Sequence, residues 1–376
     1  MDRIFFVAGE ASGDALGARL IENLKSRNPF LQCEGIGGPL MEEAGHFSSF
    51  VPFPDLGVMG IDIVKSLPLL IQHFRKTKAY LRHSSPSVLV TIDTPEFSCR
   101  LARSLSDLPI RKIHCVAPSV WAWRPKRARK MAIFFDHLLT LFPFEAPYFE
   151  REGLNTTFVG HPLADKPRGD TGFFWRHYPE LSPEKPLLIL LPGSRRAEIQ
   201  KLLPLFLETS DRLRETIPHL QFVLVTLPFL LPLIHDILSS FSVPLHIVAD
   251  RSLHSGVFAA GTAALAASGT ITLEIALEGT PLVSAYHVSW LLEKFLERML
   301  QTPWVTLPNI LLKEGIVPEC LQKACNPSMF YEKLYPLLRK ESPWSFQKKA
   351  LSRIRPLLKN EKPFGENAAD VVRAFF

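Results

Sequence analysis

Short aliphatic runs alternate with stretches of helical periodicity through most of the chain. Ile4-Phe5-Phe6-Val7-Ala8, Val88-Leu89-Val90-Thr91-Ile92 and Leu187-Leu188-Ile189-Leu190-Leu191 carry apolar side chains at odd and even positions alike. Strands of that kind are buried on both faces, as in a parallel sheet covered by helices. The pattern predicts strands over 4–8, 87–92, 112–116, 138–142 and 157–159, with helices over 14–27, 97–106 and 125–135. A polar stretch over 164–185, containing Asp165, Lys166, Arg168 and Asp170, reads as a linker. The pattern then restarts with strands over 187–191, 222–226, 246–248, 263–267 and 281–284 and a helix from Ala197. Strand–helix alternation implies right-handed crossovers. The fold class is therefore α/β, with two Rossmann-like, doubly wound parallel-sheet domains facing a cleft. Their expected spans are 1–165 and 166–345, with a C-terminal helical tail over 346–376. The last helix, over 367–376, reads as a packing helix with a solvated face.

Composition adds limits. A chain of 376 residues exceeds the usual single core, and 47% apolar with 21% charged residues excludes wholesale disorder. The net charge of +6 favours phosphate-bearing partners without choosing among nucleic acid, lipid head groups and nucleotides. Five cysteines, Cys33, Cys99, Cys115, Cys320 and Cys325, contain no CxxC pair, which argues against a disulfide framework or a zinc site and for a reducing compartment. The apolar run at 4–8 is too short for a signal peptide. Residues 216–235 lack ionised side chains but are broken by Pro218, Pro228 and Pro232; residues 252–273 are rich in Gly, Ala, Ser and Thr. Neither resembles the roughly 20 strongly apolar residues of a spanning helix, so any membrane contact is expected from the surface.

Ligands of open α/β sheets bind beyond the carboxyl ends of the strands, so the segments after each strand matter most. After the first comes Gly9-Glu10-Ala11-Ser12-Gly13-Asp14, whose spacing is not G-x-G-x-x-G and disfavours a dinucleotide. It presents Glu10, Ser12 and a helix start; Ser12 or Asp14 acting as a cap explains it equally. Gly35-Ile36-Gly37-Gly38-Pro39 is a second permissive turn. A stretch with Leu67, Leu69, Leu70 and Ile71 followed by Arg75, Lys76, Lys78 and Arg82 fits either an anionic bilayer surface or an amphipathic core helix. Asp93 ends a strand, either as a general base or as a cap for the next helix. Trp121 and Trp123 run into Arg124, Lys126, Arg127, Arg129 and Lys130, a pattern open to nucleic-acid stacking, phosphate contact or plain packing. In the second half, Pro192-Gly193-Ser194-Arg195 opens a helix in a form suited to a diphosphate, without the Gly-Lys-Ser/Thr of a Walker loop. Ser268-Gly269-Thr270 opens another helix, bearing Glu274 one turn on, where a capped core helix is the plainer reading.

These strings, with Val58-Met59-Gly60, Ile92-Asp93-Thr94-Pro95-Glu96-Phe97, Ser119-Val120-Trp121-Ala122-Trp123-Arg124, Pro143-Phe144-Glu145, Val159-Gly160-His161-Pro162 and Leu307-Pro308-Asn309, resemble the lipid-A-disaccharide synthase family in order and over nearly the whole chain through Asn309. The resemblance implies a GT-B fold and an inverting glycosyltransferase of Gram-negative lipid A biosynthesis. Its donor would be UDP-2,3-diacylglucosamine, its acceptor 2,3-diacylglucosamine 1-phosphate (lipid X), and its products the disaccharide 1-phosphate and UDP. It implies Asp93 as base, with Glu10 and Arg195 also catalytic. Gly193, Ser194, Arg195, Ser268, Gly269, Thr270, Glu274 and Asn309 would hold UDP. Ser12, Val58, Met59, Trp121, Trp123 and Arg124 would serve the acceptor lipid. No metal, cofactor or nucleic acid is expected; the inner-membrane surface, from the cytoplasmic side, and a homodimer with exchanged C-terminal helices are the further partners implied. Cys115 stands where relatives often carry Tyr, and 250–263 is less family-like. UDP-N-acetylglucosamine 2-epimerase and a nucleic-acid-binding module are the rival classes.

Overall fold

The computed structural model describes residues 3–44, 47–49, 62–121, 125–287 and 302–376. The chain forms two compact units, one from 1–165 with 358–376 and one from 166–357.

In the first unit the described strands are β1 (Arg3–Ala8), β2 (Gln32–Ile36), β3 (Phe47–Ser49), β4 (Val88–Ile92), β5 (Arg111–Cys115), β6 (His137–Thr140) and β7 (Thr156–Phe158). They form one parallel sheet in the order β3-β2-β1-β4-β5-β6-β7. Register puts Ala8 beside Ile92 and Ile92 beside Cys115, so the ends of β1, β4 and β5 are level. Alternation along β1 separates two cores. Ile4, Phe6 and Ala8 pack with Leu16, Leu20 and Phe364; Phe5 and Val7 pack with Leu81, Leu89 and Leu101.

The second unit repeats the plan with β8 (Leu187–Leu191), β9 (Gln221–Val225), β10 (His246–Val248), β11 (Ala263–Ala267), β12 (Leu282–Tyr286) and β13 (Glu319–Leu321). Their order is β10-β9-β8-β11-β12-β13, all parallel. Its core joins Leu188 and Leu190 to Leu203, Phe206 and Phe330.

Three strands differ from the pattern-based expectation. β2, β3 and β13 were not anticipated, because Gln32-Cys33-Glu34-Gly35-Ile36 and the short edge segments carry polar residues that break an apolar run. The polar stretch taken as a linker contains a helix, Thr171–His177, N-capped by Asp170 accepting from the Phe173 N–H. Phe174 in it is fully buried, and the helix packs against the His254–Ala260 helix. The segment read as a single tail is shared between the units. The Ser342–Leu351 helix belongs to the second, where Gln347 Nε2 donates to the Ile316 carbonyl. The Phe364–Arg373 helix lies on the Ala11–Arg27 helix of the first, with Asp370 paired to Arg27 and the Phe364 N–H on Asp165.

Candidate active site

Both sheets reverse strand order between their first and fourth strands: β1 and β4 in one, β8 and β11 in the other. At such a switch point the two flanking connections leave to opposite faces and open a crevice at the carboxyl ends.

At the first switch point, β1 ends at Ala8 and the Ala11–Arg27 helix begins after Glu10. Gly13 sits against both strands: a Cβ there would meet the Ala8 Cβ at 3.4 Å and the Ile92 carbonyl oxygen at 3.5 Å, ordinary contact distances. Ser12 is exposed, and Glu10 is half-buried. Neither side chain caps the helix. Asp14 does cap, but on another element. Its buried carboxylate accepts from the N–H groups of Gly38 at 2.8 Å, Leu40 at 3.1 Å and Met41 at 3.1 Å, closing the start of the Pro39–Glu43 helix.

β4 ends in two consecutive left-handed residues, Asp93 at φ 55° and Thr94 at φ 41°. Asp tolerates that conformation; a β-branched Thr is strained in it, and so is Val116, at φ 77° just past the end of β5. Backbone bonds over-determine the geometry: the Asp93 N–H donates to Cys115, the Val116 N–H to Leu139, and the Ser98 hydroxyl to the Asp93 carbonyl. The Asp93 carboxylate accepts from the Thr94 N–H at 2.8 Å, and Thr94, not Asp93, is the N-cap residue of the Pro95–Ser104 helix. Burial raises the Asp93 carboxyl above its ordinary range, partly opposed by that N–H. A half-buried carboxylate of raised basicity at a switch point is suited to take a proton.

Next to it the unit is apolar and uncharged. His114 is wholly buried, Nδ1 2.7 Å from Thr91 Oγ1, and burial pushes its pKa down to about 3. Burial raises the Cys115 thiol to about 12. Trp121 packs edge-on to Phe144 at 5.3 Å. Beneath it lies Glu145, 3% exposed, which burial raises to about 8 against the Phe142 N–H and the Trp121 indole. Glu145 stood only within a motif in the sequence; no pattern announces a buried carboxyl. Val58, Met59, Trp123 and Arg124 lie outside the described residues.

At the second switch point, β8 runs into Gly193, whose φ of 115° admits glycine alone at no strain. The Arg196–Thr216 helix then starts with no side-chain cap, leaving its first N–H groups for an anion. Ser194 lies in the turn before it. Arg195 is exposed and paired with Glu198 at 3.1 Å. Across the switch, Ser268 donates its N–H to Ala285, and Gly269 and Thr270 are exposed at the uncapped start of the Thr270–Glu278 helix. Glu274 is half-buried and raised by burial, with Lys166 and Arg251 pulling it back. Asn309, expected beside a nucleotide, has its side chain engaged by the protein. It is 1% exposed, and its amide is used up: it donates to Val317 and Glu319 and accepts from the Ile316 and Val317 N–H groups at 2.9 and 2.8 Å. It shapes the 305–319 loop. Among the described residues no group of three or more His, Cys, Asp or Glu stands ready to hold a metal.

The model of the lipid-A-disaccharide synthetase family matches residues 4–373. This chain belongs to the lipid-A-disaccharide synthase family. The synthase from Ruegeria pomeroyi is 40% identical over 86% of this chain and 84% of its own length. That from Idiomarina loihiensis is 36% identical over 99% of this chain and 98% of its own. Among solved structures, UDP-GlcNAc 2-epimerase from Neisseria meningitidis bound to UDP-GlcNAc superimposes with a TM-score of 0.64 over 100% of this chain and 99% of that one, at 11% identity. The structural likeness shows the fold, which is GT-B. The family is one of glycosyltransferases of lipid A biosynthesis.

Proposed function

We propose that this chain transfers the diacylglucosaminyl group of UDP-2,3-diacylglucosamine to the 6-hydroxyl of 2,3-diacylglucosamine 1-phosphate, releasing UDP. The family match over residues 4–373 carries the reaction class. In an inverting displacement one group takes the hydroxyl proton as oxygen attacks C1, and others stabilise the departing diphosphate. Asp93 is the base, supported by its position after β4 and its raised pKa. Glu10 is its partner at the same switch point. Arg195 and the helix starts at Gly193–Ser194 and Ser268–Thr270 hold UDP, and Glu274 accepts from ribose hydroxyls. Ser12, Val58, Met59, Trp121, Trp123 and Arg124 serve the acceptor lipid.

Substrate delivery takes place from the membrane surface. On the Asp62–Ser84 helix Leu70, Phe74 and Leu81 pack inward, whereas Leu69 and Ile71 are exposed beside Arg75 and Lys76. Such a pairing suits an anionic bilayer. No described helix is long and apolar enough to cross one. A homodimer with exchanged C-terminal helices is the proposed assembly.

Radiolabelled acceptor incubated with UDP-diacylglucosamine tests the reading. Wild type yields disaccharide; Asp93→Ala loses turnover and still binds UDP. Undiminished turnover by Asp93→Ala removes the base assigned here.

A further inference from the structure

A cavity of about 260 Å³ in the first unit is lined by none of the residues assigned above. Its walls include Val120, from the loop after β5, Lys126 and Arg129 from the Lys126–Phe134 helix, and Tyr148, Arg151 and Glu152. The volume falls just below the ~300 Å³ at which pockets enclose whole small molecules, so it suits one group of a larger ligand.

Its charge is one-sided. Three cations face one carboxylate, and among the described residues none of Lys126, Arg129 and Arg151 is ion-paired. The Arg151 guanidinium is fixed over the Tyr148 ring at 4.9 Å, with Nε donating to the Pro147 carbonyl. Its remaining N–H donors are left for something else.

The helix supplying Lys126 and Arg129 breaks a local rule. The start of a helix carries partial positive charge and favours acidic residues. Here the first turn has no acid and reads Lys126-Arg127-Ala128-Arg129, with no side-chain cap. Arg127 is satisfied by Glu96 on the neighbouring helix; Lys126 and Arg129 are not so compensated. Cations set against a helix dipole weaken the fold unless an anion joins them, and such violations cluster where function requires them.

We infer that this cavity is a subsite for a phosphate monoester. It deepens the proposed reaction and rests on it, since the acceptor carries a monoester at C1. The reacting 6-hydroxyl, on the carbon attached to C5, and that phosphate, on C1, flank the ring oxygen and stand a few ångströms apart. The base and the phosphate site are therefore expected on adjacent elements. Asp93 follows β4; Val120 follows β5, its neighbour at the usual ~4.8 Å strand spacing. A phosphate dianion accepts from Arg129, Lys126 and the free face of Arg151, while the pocket mouth leaves the sugar outside.

The same chemistry also occurs in the head group of phosphatidate, and the test separates the two sources. The full-length protein is titrated with glucosamine 1-phosphate, which has no acyl chains, followed by phosphorus NMR; flotation with phosphatidate-containing vesicles runs in parallel. For Lys126→Ala/Arg129→Ala the affinity for glucosamine 1-phosphate falls at least about tenfold and the acceptor KM rises with it, while the donor KM holds. Arg129→Lys retains most of the affinity. The thermal midpoint of the double variant stays level or rises, because two cations leave a helix start; a merely structural role predicts a fall. Loss of vesicle flotation with no sugar-phosphate binding in either protein supports the pocket with lipid as its source. Unchanged affinity for both probes overturns it. Wild type that binds glucosamine 1-phosphate through these residues but makes no disaccharide sinks the proposed reaction and leaves the subsite standing.

Discussion

Asp14→Ala is the sharpest test of how the first switch point is built. Asp14 follows Glu10 by one turn, and its N–H donates to the Glu10 carbonyl. Its carboxylate, 3% exposed, accepts from the Gly38, Leu40 and Met41 N–H groups, and among the described residues no other side chain does. Truncation removes a helix cap, which costs about 0.5–2 kcal/mol. It also leaves buried donors without partners, at about 1–3 kcal/mol each if none is rescued by water. These losses overlap, and about 3 kcal/mol is a fair total. For a unit of this size about 1 kcal/mol moves the melting midpoint by roughly 2–4 °C, so a fall of roughly 6–12 °C is expected by circular dichroism. Asp14→Asn keeps one carbonyl oxygen and falls by less. Ser12→Ala, at an exposed position, stays within about 0.5 kcal/mol of wild type. Gly38→Ala attacks the same contact from the other side, since its Cβ would meet Asp14 Oδ2 at 2.5 Å. The double variant Asp14→Ala/Gly38→Ala is therefore less destabilised than the two singles added together. An Asp14→Ala protein melting within about 2 °C of wild type, or additive singles, would refute the account.

Two further outcomes follow from individual groups. Glu145 is raised from 4.5 to about 8 by burial. Between those values the unfolded chain has released a proton that the folded chain keeps, so this group's contribution to stability falls as pH rises and levels off above about 8. Glu145→Gln therefore melts increasingly above wild type from pH 5 to pH 8, by up to about 3 kcal/mol, in a pH series of thermal melts; a pH-independent difference defeats the assignment. Gly193→Ala forces a side chain into φ 115° with its Cβ 2.9 Å from the Glu198 Cβ. UDP affinity by calorimetry drops about tenfold, with about 1–3 kcal/mol of strain, and unaltered UDP binding would remove this turn from the nucleotide's site.

What could be read from the chain follows from how locally each feature is encoded. β1, β4 and β8 announce themselves because strands buried on both faces need apolar residues at every position. Edge strands β3 and β10 need fewer, and β2 mixes Gln32 and Glu34 with buried neighbours; the apolar pattern reveals β10 but neither β3 nor β2. The last helix was legible as an amphipathic packing element. Its destination on the Ala11–Arg27 helix, over 300 residues away in sequence, was not. Asp14 and Asn309 show the same limit for the site. Each stands in a motif, and a motif cannot say whether a polar side chain faces a ligand or the protein's own backbone. The hydrogen bonds of both face inward, to Gly38–Met41 and to Ile316–Glu319.

The other candidate residues are not scattered. Glu10 and Asp93 follow the first and fourth strands of one sheet, and Gly193–Arg195 and Ser268–Glu274 follow the first and fourth strands of the other. Nothing in residue spacing forces that coincidence: 83 positions separate the first pair and about 75 the second. The strand order forces it, because β1 recruits β2 and β3 on one side and β4 onward on the other, leaving its own carboxyl end and that of β4 as neighbours without a crossover between them. The chemistry then divides by what each sheet offers there. The first presents two carboxylates, Glu10 on extended backbone and Asp93 on left-handed backbone, fit to move a proton. The second presents uncapped helix starts, a permissive glycine and an arginine, fit to hold a diphosphate as it leaves. An inverting transfer to a hydroxyl needs those two provisions, and a repeated strand order supplies a place for each.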